Sequence, residues 1–181
     1  MSKLHDTKVP YEQGPEGTGT LLTGLITQHM ESVRYYRAAA EALEGQSEKG
    51  TAYFRDLANY RQNAFDKLSR VVSDIGAGVN TPSQGNFSYL KDHEERFNKA
   101  LTSHNTVELA ELAYENEQAT STAYRHALDN ENLLDFAEEI LHEQHEDILR
   151  WVNRADRYKT VPQTEIDHEA KELDGTLPTP D

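Results

Sequence analysis

The chain has 181 residues, 32 of them acidic and 18 basic, a formal net charge of -14 and no cysteine. That length suits one domain with a sizeable core. The acidity argues against a nucleic-acid binder and against an anionic membrane surface, and the missing cysteine removes disulfides, thiolate metal sites and cysteine nucleophiles.

Residues 1–17 carry Pro10, Pro15, Gly14 and Gly17 without periodicity, and are expected to form a flexible arm. Their opening, Met1-Ser2-Lys3-Leu4-His5-Asp6, has no apolar run of the secretory kind, so a cytoplasmic location is expected. A heptad-spaced stripe follows: Leu22, Ile26, His29, Val33, Tyr36, Ala40 and Leu43. Steps of three and four keep these side chains on one helical face, which predicts a helix from about Gly19 to Glu44, stopped by Gly45. Ser47 is placed to cap a second helix reaching about Ile75, with the stripe Phe54, Leu57, Arg61, Ala64, Leu68, Val71 and Ile75. The short link makes these two an antiparallel hairpin.

Residues 76–86 are turn-forming, and Gly76-Ala77-Gly78 follows a helix rather than a strand, so it is no dinucleotide loop. Leu90, Phe97, Ala100 and Leu101 then mark a short crossover helix. Asn105 and Glu108 resemble a capping box at the start of a third long helix, whose stripe is Ala110, Ala113, Glu117, Thr120, Tyr124 and Ala127. Asp129-Asn130 turns the chain into a fourth, with Leu134, Glu138, Leu141, His145, Ile148, Val152 and Ala155 expected inside. Residues 159–181 hold three prolines and many acids and are expected to be a flexible acidic tail, which leaves 18–158 as the folded body.

Each long stripe is interrupted by an ionisable residue. With the helix ends level, His29, Arg61, Glu117 and His145 fall at one height. There is also an internal echo: Tyr36-Arg37-Ala38-Ala39-Ala40 is similar to Tyr124-Arg125-His126-Ala127-Leu128, and superposing them sets His29 opposite Glu117.

In the leading Leu-Ile…Tyr-Arg-x-Ala-Ala helix, Phe54-Arg55-x-Leu57, Glu117…Ala123-Tyr124-Arg125-x-Ala127-Leu128 and His145-Glu146-Asp147-Ile148-Leu149, the chain resembles the ferritin-like superfamily over residues 20–155. Within it the resemblance is closest to a bacterial group of four-helix-bundle domains related to rubrerythrin and bacterioferritin. It implies an all-α, antiparallel four-helix bundle with a short crossover helix and disordered tails. Members that oxidise iron bind two metals with a carboxylate from each of two helices and a Glu-x-x-His from each of the other two.

Only fragments of that set are present. Glu117 stands where one helix offers its carboxylate, His29 replaces the other, Arg61 falls within Tyr60-Arg61-Gln62-Asn63, and helix four carries His142-Glu143-Gln144-His145. Two readings of the layer stand open. In one, His29, Glu117, His142 and His145, with Glu138 as a further ligand or outer acceptor, hold at most one iron or zinc ion. In the other, Arg61 and Glu117 form a buried ion pair, with His29 and His145 neutral and hydrogen-bonded to them or to Tyr36 and Tyr124. No catalytic residue can be assigned. The resemblance implies a stress-associated or structural and interaction protein, self-associating as a homo-oligomer, and the competing class is a metal-dependent oxidase or oxygen scavenger.

Overall fold

The computed structural model describes residues 15–77, 89–130 and 133–160. Most of the arm expected over 1–17, most of the tail expected over 159–181 and nearly all of the 76–86 turn region lie outside them. The described chain is helical: α1 (Pro15–Ala42), α2 (Glu48–Asp74), α3 (Tyr89–Asp92), α4 (Glu94–Thr102), α5 (Thr106–Leu128) and α6 (Asp135–Thr160). No strand occurs among the described residues, and no helix there is long and apolar enough to cross a membrane.

Local chemistry sets the ends. The Ser47 side chain accepts from the Gly50 backbone N–H at 3.1 Å and Asn105 accepts from that of Glu108 at 3.0 Å, each satisfying a donor that the first helical turn leaves open. After α1, Gly45 takes φ +74°, where a Cβ would be strained. After α4 the same left-handed position is held by His104, at φ 50°. It is stabilised by paired backbone bonds, His104 N–H to Leu101 and Asn105 N–H to Ala100, which close the helix end as a glycine would.

Two boundaries differ from expectation. α1 starts at Pro15, a residue suited to the first helical position because it needs no N–H there, and buried Thr18 accepts from the Leu134 N–H at 3.3 Å, tying that turn to the approach to α6. The segment expected to form one short helix is two, because His93 leaves helical geometry (φ -109°, ψ 25°) between them.

Side-chain contacts fix the directions of the four long helices. His29 meets Tyr124 and Tyr36 meets Glu117, so going up α1 means going down α5. Asp56 meets Arg154 and Lys67 meets Glu143, so α2 and α6 are antiparallel as well. The hairpins α1–α2 and α5–α6 therefore lie side by side. Their apolar faces form two clusters. One gathers Tyr35, Leu43, Phe54, Leu57 and Leu109 with Leu90 and Phe97 of α3 and α4. The other gathers Leu22, Ile26, Leu68, Val71, Leu141 and Ile148 toward the opposite end.

Candidate functional site

Between the two apolar clusters lies a polar layer to which all four long helices contribute. α2 supplies Arg61, a residue with no solvent exposure. Phe54 and Leu57 before it, and Ala64 and Leu68 after it, share its buried face, so the helix has no freedom to turn the guanidinium outward. Burial alone would lower its pKa; the neighbouring Glu117 carboxylate more than reverses this and holds the group above its ordinary value. It is a fixed cation.

Glu117, on α5 and equally buried, lies across the layer with Oε1 2.7 Å from Arg61 Nη2. That oxygen also accepts from Arg61 Nε at 3.1 Å and from the Tyr36 hydroxyl at 2.7 Å. Two hydrogen bonds and an ion-pair contact thus converge on Oε1, while Oε2 has no hydrogen-bond partner among the described residues. Arg61 Nη2 further donates to Thr120 Oγ1 at 3.0 Å. Asn116 donates to Tyr36 at 2.7 Å and to Ser32 at 3.0 Å, extending the network back to α1.

The guanidinium also sets the state of His29. Arg61 Nη1 lies 3.1 Å from His29 Nδ1 and, being a donor only, makes that nitrogen the acceptor. Nε2 then carries the proton and donates to the Tyr124 hydroxyl at 2.5 Å. Tyr124 donates onward to Gln144 Oε1 at 2.6 Å, and Gln144 Nε2 donates to the Ala64 carbonyl on α2 at 3.2 Å. The chain of donors runs in one direction through α2, α1, α5 and α6 and returns to α2. Burial first, and the Arg61 charge second, hold the His29 pKa well below its ordinary value, so the imidazole is neutral. Burial likewise raises the pKa of both tyrosines well above the usual phenol value, for Tyr36 with the Glu117 charge as the next cause. Both remain protonated donors.

The five residues expected as metal ligands are not gathered in one place. His29 and Glu117 enter the layer, on opposite sides of Arg61. His145 lies beside it: its ring stacks on Tyr124 and its Nε2 is 2.9 Å from Ser121 Oγ, while burial, with Arg125 next, lowers its pKa. His142 and Glu138 are on the outer face of α6, with side chains 61% and 49% exposed and 3.6 Å apart. Among the described residues no group of three or more histidines and carboxylates is close enough to share a metal ion.

The donor set of the layer does not fit one either. Both nitrogens of His29 are engaged, the bonded oxygen of the single carboxylate is saturated, and the guanidinium brings a permanent positive charge. The ion pair between Arg61 and Glu117 is present, as are bonds of His29 to Arg61 and Tyr124; His145 instead meets Ser121, and the bond of Tyr36 to Glu117 was not among those expected.

Four members escape the stripes or were given no role by them. Gln144 takes the place expected for His145 because the buried line along α6 is Ala137, Leu141, Gln144, Ile148 and Ala155. Between Leu141 and Ile148, a step of three then four reaches position 144 and a step of four then three reaches 145, so spacing does not separate them. Asn116 and Ser32 sit one position before stripe residues, at the edge of a face wider than a strict heptad. Thr120 lies on its stripe, and its role as an acceptor for Arg61 has no sequence signal.

Comparison of the chain with models of protein families, with curated proteins and with solved structures finds no match.

Proposed function

We propose that the chain is a ferritin-like four-helix bundle with a crossover connection, of structural or interaction type, in which a guanidinium–carboxylate pair occupies the waist where oxidases of that plan hold metal ions. The observation that carries this reading is the place of Arg61: fully buried, central, and bonded to Glu117, His29 and Thr120. Two further features support the plan. The Tyr36–Glu117 and Tyr124–His29 bonds exchange equivalent positions of α1 and α5, as a pseudo-twofold relation between two hairpins requires. The α3–α4 segment packs against the end that holds Leu43 and Leu109, where a chain leaving the far end of α2 must arrive to start α5.

A chain of this kind has its central cation built in. Its role then lies in its surface and its assembly rather than in dioxygen chemistry, and a stress-associated bacterial context fits the resemblance.

The test is metal loading. The purified full chain, exposed to Fe²⁺ or Zn²⁺ and then desalted, should retain no stoichiometric ion and should leave aerobic Fe²⁺ oxidation at the rate of buffer. Arg61→Glu, which replaces the cation by a second carboxylate, should acquire binding. The competing reading, a single-ion site with oxidase activity, has one observation in its favour: Glu117 Oε2 is a buried carboxylate oxygen with no hydrogen-bond partner among the described residues. One equivalent of iron retained by the unaltered chain, with turnover that His29→Ala abolishes, would establish that reading instead.

A further inference from the structure

The outer side of the α1–α2 hairpin carries a groove of about 400 Å³, lined by Met30, Val33, Arg34, Arg37, Glu41 and Phe65 among others. Three of its properties bear on what it can bind. Met30 is 50% exposed, one of four large apolar side chains so exposed among the described residues. Arg37 bonds the neutral amide of Gln62 at 3.2 Å and has no carboxylate within ion-pair range among the described residues, although acids outnumber bases 32 to 18 in this chain. Arg34 shares Glu31 at 2.8 Å but leaves its side chain 58% exposed. An apolar trough beside two accessible guanidinium groups fits an acidic amphipathic segment, by the helix-in-groove mode of recognition.

The chain contains such a segment. Between Thr164 and Leu177, Ile166, Ala170, Leu173 and Leu177 recur at steps of four, three and four; Glu165 precedes them, and Asp167, Glu169, Glu172 and Asp174 fall between them against the single cation Lys171. The stretch from Met1 to Gly14 holds two lysines and two acids, and so offers no comparable charge.

Its reach is adequate. Arg154 of α6 meets Asp56 of α2, and α6 continues to Thr160; six residues at about 1.5 Å each bring it near the height where α2 begins. The groove starts at that end, with Glu41 uppermost and Met30 lowest. Residues 161–165 span up to about 17 Å when extended, enough to pass over α2.

We propose that residues 164–177 dock in the α1–α2 groove of the same chain, with their apolar side chains against Met30, Val33 and Phe65 and their acids against Arg34 and Arg37.

The absence of cysteine and the presence of only two methionines make a direct test possible. A nitroxide is attached at Lys171→Cys, on the acidic side of the segment, in full-length chain carrying ¹³C-methyl methionine. The Met30 methyl signal should be lost, should return when the nitroxide is reduced, and should survive in the oxidised sample once Arg34→Glu and Arg37→Glu are added. An undiminished Met30 signal overturns the proposal, and so does a loss that ignores the charge reversals. In a mixture of nitroxide-bearing chain without isotope and isotope-bearing chain without nitroxide, loss of the Met30 signal would assign the groove to a second copy, which also overturns docking within the chain.

Discussion

Removing one member of a buried ion pair strands the other, and that cost exceeds the net contribution of the pair. Glu117→Leu leaves the Arg61 guanidinium at zero exposure with only Thr120 and His29 as partners. Urea denaturation should show a loss of about 3–5 kcal/mol. Arg61→Met combined with Glu117→Leu should recover most of it, since two apolar side chains of similar volume need no partner. If the two single losses simply add in the double variant, the residues are not coupled as the 2.7 Å contact requires.

His29 makes the layer sensitive to acid in a defined sense. Its folded pKa is depressed, chiefly by burial and then by Arg61, whereas the unfolded imidazole titrates near 6.5. Above that pH both states are neutral and His29 adds no pH dependence. Below it, the unfolded chain takes up a proton that the folded chain refuses, so stability falls by up to about 1.4 kcal/mol per pH unit until the folded value is reached. Denaturation midpoints between about pH 7.5 and 5.5 should therefore drop more steeply for the unaltered chain than for His29→Gln. Equal slopes would show that His29 is not held neutral. Histidine 145 shifts in the same direction with a smaller burial cause, and His145→Gln serves as the comparison.

At the scale of the helix, the stripes of α1, α2 and α5 were legible because the step sequence admits one face. Leu22 through Leu43, Phe54 through Val71 and Ala110 through Ala127 are all buried as spaced. On α6 the same rule leaves two solutions, and the expected Glu138 and His145 sit a residue to the side of Ala137 and Gln144. Gln144→Ala should accordingly cost more than His145→Ala, by about 1–3 kcal/mol, because it opens the bonds to Tyr124 and to the Ala64 carbonyl inside the molecule. A His145→Ala penalty as large as that of Gln144→Ala would return His145 to the layer. Capping was equally readable: Ser47→Ala should lower stability by about 1 kcal/mol, because the Gly50 N–H then has no acceptor in the first turn of α2. A thermal midpoint unmoved by this change would show the cap to be redundant.

At the scale of the whole molecule, the polar layer lies between two apolar clusters, with Tyr60 packed against both. A continuous apolar seam would let one hairpin slide by a turn against the other. Here a slide would detach Arg61 from Glu117 and Tyr36 from Glu117 together, leaving buried charge and donors unpaired, so register is fixed by what misalignment would cost. The α3–α4 segment adds a clasp: Arg96 pairs with Glu108 and, at 2.7 Å, with Glu115, binding α4 to the first turns of α5.

Composition and spacing alone determined that this chain is helical, which faces of three long helices turn inward, and that those faces are interrupted by Arg61, Glu117 and His29 at matching heights. Periodicity reads a single helix, and a buried face is a property of a single helix. Whether the interruptions become ligands or partners of one another depends on which atoms meet across helices, and that is a matter of tertiary distance. Only the packed structure decided that Arg61 takes Glu117 for itself, that Gln144 rather than His145 completes the circuit, and that His142 and Glu138 face outward, because a one-position rotation of α6 changes all of these while leaving its spacing pattern intact.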